Sequence, residues 1–383
     1  MVTSIDLVEQ MIRIAAHKHF DCGTKNGSII PMKYLESQNN NVDEGVVKYK
    51  GWALEARLYA EDPLRNFLPS TGSLLKYEEP NSKDVSKMMD IEKDKVIVRV
   101  DSGVDAGSNI SMFYDPMISK LVTYSNSIES SVKSRTAAID AMYNALQRYV
   151  IVGPQHNGAF LSHVLGSSDN HSASIAFRAG DTPTNFIDIH YPDGFKVDDL
   201  PFFNSINDNS KISDDAATLA IYTLLHFMLN NDLNNFNNLS SNGSFIVVLG
   251  GFFGKSFEVN VGNSTKDEII VKSLDNENAP PYEAIVSDLN FGTASKTAIS
   301  DFVINGKRCA IQLHNIENDG SLQIQWNGAV IEAVVRSHKE HELSSFMKKP
   351  PSSDTSQFLL SSMPGKLVLL MVNVSFAHSC LCL

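Results

Sequence analysis

The chain has 383 residues, 43% of them hydrophobic, which is enough for two or three domains with ordinary cores. A formal net charge of -12 argues against nucleic acid as a partner, since phosphate binding needs basic stripes. Four cysteines (Cys22, Cys309, Cys380 and Cys382) form no CxxC pair, which indicates a reducing compartment without a disulfide framework, and no apolar run reaches the roughly 18 residues that span a bilayer.

Residues 5–16 read as a helix with Leu7, Met11, Ile14 and Ala15 on one stripe. Then comes Gly51-Trp52-Ala53-Leu54-Glu55-Ala56-Arg57-Leu58-Tyr59-Ala60-Glu61-Asp62-Pro63. Its alternation predicts a strand that turns Trp52, Leu54, Ala56 and Leu58 one way and Ala53, Glu55, Arg57 and Tyr59 the other. Glu55 and Arg57 then stand side by side. A solvated salt pair is the plain reading. The sharper one gives Arg57, whose planar fork grips small oxyanions, a place near a rim, because the strand ends at once in Ala-Glu-Asp-Pro. Residues 72–121 alternate strand candidates with turns, as an antiparallel sheet does. A helix follows over 130–149, buried through Val132, Ala138, Ile139, Met142 and Leu146; 150–153 is extended and 158–165 helical.

A boundary falls near 192–201. Beyond it, Ser213-Asp214-Asp215 supplies an N-cap and an acidic first turn to a helix over 216–233 that is apolar almost all round, hence enclosed. The asparagine-rich tract 230–242 is a loop by composition. Eight strands are predicted at 244–250, 256–262, 267–273, 282–287, 297–304, 307–314, 320–327 and 329–336, with Asn305-Gly306 and Asn327-Gly328 as hairpin turns. An enclosed helix followed by eight antiparallel strands predicts a barrel wrapped round a helix. Gly250-Gly251-Phe252-Phe253-Gly254-Lys255-Ser256 is one residue short of a phosphate loop and leads into a strand rather than a helix, so it reads as a hairpin. His17 and His19, like His338 and His341, lack a third ligand and read as surface helix residues; no metal site is expected. Lys348-Lys349-Pro350-Pro351-Ser352-Ser353 opens a linker.

The Glu-Ala-Arg strand with its Ala-Glu-Asp-Pro end is followed by Phe67-Leu68-Pro69-Ser70-Thr71-Gly72, Val98-Arg99-Val100-Asp101-Ser102-Gly103 and Tyr114-Asp115-Pro116-Met117-Ile118-Ser119-Lys120-Leu121. In this order the blocks resemble the C-terminal subdomain of biotin carboxylase. The likeness continues through Asp188-Ile189-His190-Tyr191-Pro192-Asp193-Gly194-Phe195-Lys196 and the remaining chain. It is similar throughout to the alpha subunits of biotin-dependent acyl-CoA carboxylases, in the branch acting on propionyl-CoA; the methylcrotonyl-CoA branch is the alternative.

The resemblance implies an α+β fold. A C-terminal biotin carboxylase subdomain, an antiparallel sheet with helices, would occupy 1–195. A biotin-transferase-like domain, a β-barrel wrapped round a long helix, would occupy 196–345. A linker (346–360) and the start of a biotinyl carrier domain (361–383) would follow. Biotin, ATP and Mg²⁺ are the implied cofactors: ATP phosphorylates bicarbonate, and the carboxyphosphate breaks down to CO₂ beside biotin. Arg57 matches the arginine that steadies negative charge developing on the deprotonated ureido ring. Asp115 would either orient Arg57 or cap the turn before Pro116, while Glu55 would be structural. Thr184-Asn185-Phe186-Ile187 aligns with a short strand closing over adenine, with Phe186 either covering the base or packing in the core. The implied partner is a carboxylase beta subunit in an alpha-beta oligomer, with no nucleic acid or membrane partner, in the mitochondrial matrix. In the family the ATP-binding lysines and Mg²⁺ carboxylates precede the helix at 5–16, and the biotin-bearing Met-Lys-Met follows the first carrier strand. Neither set is present in the sequence. A piece truncated at both ends is therefore expected, inactive alone; a non-catalytic assembly module is the other reading.

Overall fold

The computed structural model describes residues 2, 6–15, 35–36, 46–47, 50–92, 95–111, 113, 115–126, 131–166, 171–196, 199–200, 211–230, 244–251, 254–261, 268–276, 278–291 and 298–348. The carrier-like stretch 361–383, nearly all of the linker and the histidines at 17 and 19 lie outside them. Helix α1 (Leu7–Ala15) exposes Leu7, Val8, Met11 and Ile12. Strands β1 (Leu35–Glu36) and β2 (Val46–Val47) form a two-residue antiparallel ladder.

The strand expected around Arg57 is β3 (Trp52–Tyr59). Short ladder strands β4 (Glu61–Asp62), β5 (Leu68–Pro69), β6 (Gly72–Ser73) and β7 (Lys76–Glu78) lead to helix α2 (Ser82–Met88). Then follow β8 (Val96–Ser102), β9 (Asn109–Ile110), β10 (Met117–Ser125), α3 (Ser131–Gln147), β11 (Val150–Val152), α4 (Gly158–Leu165), α5 (Ser172–Ala179) and α6 (Phe186–His190). An antiparallel sheet in the order β3-β10-β8 is the centre of this half. Its inner face (Ala56, Leu58, Leu121, Val96) packs with Ile139, Met142, Ala145 and Leu146 of α3. Polar groups caught on that face find partners. Thr123 Oγ1 donates to Ala138 O at 2.8 Å, and the Ser119 and Tyr149 hydroxyls meet at 2.6 Å.

The helical turn at α2 interrupts the run of strands expected across 72–121. Asn81 caps it, its Oδ1 accepting from Asp84 N at 3.0 Å. Helices α5 and α6 are likewise additions to the expected elements. The short strand expected at 184–187 is instead the start of α6: Phe186 N donates to Pro183 O at 3.0 Å, which turns the chain where a ladder would need it extended.

Helix α7 (Asp214–Asn230) and the strands β12 (Ser244–Leu249), β13 (Lys255–Val261), β14 (Glu268–Ser273), β15 (Tyr282–Asn290), β16 (Ile299–Ile304), β17 (Lys307–Ile316), β18 (Leu322–Trp326) and β19 (Ala329–Arg336) form the second half. The strands close as a barrel, β19 pairing back onto β12. Helix α7 carries the buried residues Ala216, Leu219, Ala220, Tyr222 and Leu224 into the barrel core, where Tyr222 stacks on Phe302 with ring centroids 5.9 Å apart. Closure leaves the barrel without the unpaired edges that a flat antiparallel sheet would expose. Strands β12 and β13 pair with Leu249 opposite Lys255, as the hairpin reading expects. Helix α8 (His338–Ser344) follows β19, closed at its start by the reciprocal Ser337–Glu340 capping box.

The two halves are joined by buried polar contacts. Arg148, at the end of α3, has a side chain only 9% exposed and pairs through both terminal nitrogens with Asp301 of β16. Gln312 of β17 donates to Gln147 O at 2.9 Å and Tyr149 O at 3.0 Å. Lys76 donates to His314 O at 2.9 Å, and Tyr143 to Asn327 Oδ1 at 2.7 Å. Phe160, Val164, Tyr191 and Phe195 share one apolar cluster with α7 and the barrel strands.

Candidate active-site face

The outer face of the β3-β10-β8 sheet is built by register. Lys120 of β10 lies opposite Arg57 on one side and Asp101 on the other; Val122 lies between Glu55 and Arg99, and Tyr124 between Ala53 and Ile97. Because paired residues on adjacent antiparallel strands point the same way, these side chains share one face. Arg57 is open to solvent, its side chain 56% exposed, and its Nε donates to Glu55 Oε1 at 3.0 Å. Glu55 first, then the Tyr59 hydroxyl, raise the Arg57 pKa above its ordinary value, so the guanidinium is a permanent cation. Glu55 takes one edge of the fork; the rest points toward Tyr59 and open space. The structural role expected for Glu55 is this orienting contact.

The rim expected beside Arg57 is present. Met117 pairs with Tyr59, Ala60 N donates to Pro116 O at 2.8 Å, and the register slips by a bulge between Met117 and Ser119. Bulges recur beside active sites, where they re-aim side chains. Asp115 sits at this corner, exposed, and its Oδ1 accepts from Met117 N at 3.1 Å. Of the two roles left open for Asp115 the structure shows the cap, and the group that holds Arg57 is Glu55. The Asp115 charge also acts on Glu61, whose pKa is raised by partial burial first and by Asp115 second.

Phe186 lies in a different place. It is half-buried against the barrel-side core, its ring 4.5 Å from His190 and 6.4 Å from Phe177, which is the core-packing alternative. His338 and His341 stand in α8, where His338 Nε2 meets Ser244 Oγ at 2.9 Å.

Comparison with known proteins bears on what this face belongs to. Residues 55–188 match the biotin carboxylase C-terminal domain, and residues 234–349 match the propionyl-coenzyme A carboxylase BT domain. The first match contains the whole sheet from Glu55 onward; the second contains the barrel. The chain carries a biotin carboxylase C-terminal domain and a propionyl-coenzyme A carboxylase BT domain. Among relatives, the propionyl-CoA carboxylase alpha chain of Ruegeria pomeroyi is 30% identical over 382 residues, covering 98% of this chain and 48% of its own. The mitochondrial propionyl-CoA carboxylase alpha chain of Homo sapiens is 31% identical over 374 residues, covering 97% and 43%. The methylcrotonoyl-CoA carboxylase subunit alpha of Dictyostelium discoideum is 25% identical over 405 residues, covering 98% and 46%. The chain thus spans about half the length of the curated relatives it matches.

An exposed guanidinium held at one edge, as Arg57 is by Glu55, fits a ureido oxygen or a small oxyanion. Lys120, which the sequence reading did not single out, shares the outer face with Arg57 once β10 is paired with β3.

Proposed function

We propose that the chain is part of the alpha subunit of a biotin-dependent acyl-CoA carboxylase whose acyl substrate is propionyl-CoA, carboxylated on a separate beta subunit. The observation that carries this reading is the succession, in one chain, of a biotin carboxylase C-terminal domain and a propionyl-coenzyme A carboxylase BT domain. The packing of the two through Arg148 and Asp301 makes them one unit rather than two tethered pieces. Bound biotin supplies the nitrogen that carries the carboxyl group. Arg57 supplies fixed positive charge to the oxygen on which negative charge grows, Glu55 aims it, and Asp115 keeps the adjoining corner in shape. Phe186 contributes by packing α6 onto the core. A fixed donor of this kind contributes on the order of 3 kcal/mol to a transition state. The barrel half is the surface for the beta subunit, and a mitochondrial-matrix location follows from likeness to the human relative.

The test is an ATP-dependent bicarbonate fixation assay on the full-length protein with its beta subunit, comparing propionyl-CoA with methylcrotonyl-CoA. Fixation preferring propionyl-CoA is expected. A preference for methylcrotonyl-CoA would move the protein to the sister branch. Capture of the beta subunit without fixation would leave only the assembly module.

A further inference from the structure

The whole chain carries a net charge of -12, yet the face around Arg57 is cationic. Its charged side chains are Arg57, Lys120 and Arg99 against Glu55 and Asp101. The carboxylates are already engaged. Arg99 grips Asp101 through Nε at 2.9 Å and NH2 at 2.6 Å, and Glu55 serves Arg57 while its charge also reaches Arg99. Lys120 is left over: among the described residues its side-chain ammonium makes neither a hydrogen bond nor an ion pair, although the residue is half-buried and directly opposite Arg57. Like charges directly opposite on neighbouring strands destabilise a sheet, and their Cβ atoms stand only about 5 Å apart. Register here could have been relieved by any neutral residue at position 120. Asp101, opposite Lys120 on β8, is held in the fork of Arg99, so the two facing cations share no free carboxylate on the sheet, and such a broken local rule is the mark of a site that expects a partner from outside. The bulge between Met117 and Ser119, immediately before Lys120, adds the local twist by which strands re-aim side chains at sites.

We infer that Lys120 is the second donor of a two-cation seat, shared with Arg57, for a small oxyanion of the bicarbonate or phosphate type. The two donors are complementary. The Arg57 fork fixes the plane of the anion, and the Lys120 ammonium adds a compact charge on a flexible stem that follows the anion as it shifts. The inference rests on the reading of this face as the carboxylation site and names the charge class that the site holds.

The test uses the whole chain labelled with ¹⁵N-arginine. The Arg57 Nε–H resonance is followed while inorganic phosphate, and in a separate arm bicarbonate, is added at constant ionic strength. Saturable shifts are expected in wild type. Lys120→Met should weaken binding by about threefold or more, the scale of one exposed charge pair, and Lys120→Arg should restore it. Lys120→Gln, which keeps a polar stem, serves if the methionine variant is poorly folded. A stronger response to bicarbonate assigns the seat to the planar anion and a stronger response to phosphate to the tetrahedral one; both support it. Wild type without saturable binding, or Lys120→Met and Lys120→Gln titrating as wild type does, overturns it. That failure is separable from failure of the carboxylase reading. If Lys120 variants change nothing while Arg57→Ala abolishes carboxylation, only the second donor is lost. If Arg57→Ala still carboxylates, the parent reading falls whatever Lys120 does.

Discussion

Arg57 and Asp115 both lie toward the Tyr59–Met117 end of the sheet but are held by different contacts, Arg57 by Glu55 and Asp115 by the amide of Met117. That difference can be read by substitution. Asn keeps the acceptor oxygen that caps the turn and removes only the charge, so Asp115→Asn should leave stability and carboxylation near wild type. Asp115→Ala removes the acceptor and should cost about 1 kcal/mol, measured as a shift in the urea midpoint. Equal losses for Asn and Ala would show that the carboxylate charge, acting on Arg57, is what counts. In the sequence the two roles of Asp115 are indistinguishable, because an Asp before Pro116 satisfies both patterns; the bond from Met117 N shows the capping contact. Phe186 is ambiguous for a similar reason: an aromatic residue in Thr-Asn-Phe-Ile fits a ligand cover or a core edge, and its contacts with His190 and Phe177 show the packing.

At the scale of elements, legibility followed periodicity. The barrel strands show plainly because a sheet with one face buried imposes alternation, as in β19 from Ala329 to Ala333, and because Asn-Gly pairs mark the hairpins. Helix α7 shows because enclosure makes it apolar on every side. The two-residue ladders β4, β5, β6 and β9 and the short helices α2, α5 and α6 are too brief to set a period; the Asn81 cap of α2 and the left-handed Gly180 that ends α5 are local signals. The hairpins themselves differ in a testable way. Gly306 and Gly328 both have positive φ, +79° and +84°, but a Cβ at Gly306 meets nothing whereas one at Gly328 would lie 2.6 Å from the Cα of Ala159 in α4. Gly306→Ala should therefore cost about 1 kcal/mol of left-handed strain. Gly328→Ala should cost about 3 kcal/mol or more, because it also pushes α4 off the barrel. Equal urea midpoints for the two variants would contradict that close approach.

For the molecule as a whole, the seam between sheet and barrel was the least legible feature, since its partners are far apart in the chain: Arg148 with Asp301, Lys76 with His314. The seam and the neighbouring aromatic cluster hold imidazoles that resist protonation. Burial, then His314, pushes His156 down to about 4; burial, then His171, does the same to His163; burial, then Lys76, does so to His314. An unfolded chain protonates its histidines near pH 6.5 while the folded one does not until about 4, so as pH falls the unfolded state binds protons first. The stabilisation is complete above about 6.5 and drains away toward 4. Urea midpoints between pH 7 and 5, above the carboxylate range, should fall by on the order of 1 kcal/mol per imidazole. His163→Gln should flatten that slope, and a wild-type midpoint independent of pH over the window would refute the neutral imidazoles.

The proposed function turns on Arg57. The most direct measurement is ATP-dependent carboxylation of biotin by the full-length protein carrying Arg57→Ala, with ATP affinity measured on the same sample. Loss of one fixed donor predicts a rate about 100-fold lower or worse with ATP binding unchanged. Carboxylation at the wild-type rate would contradict the account.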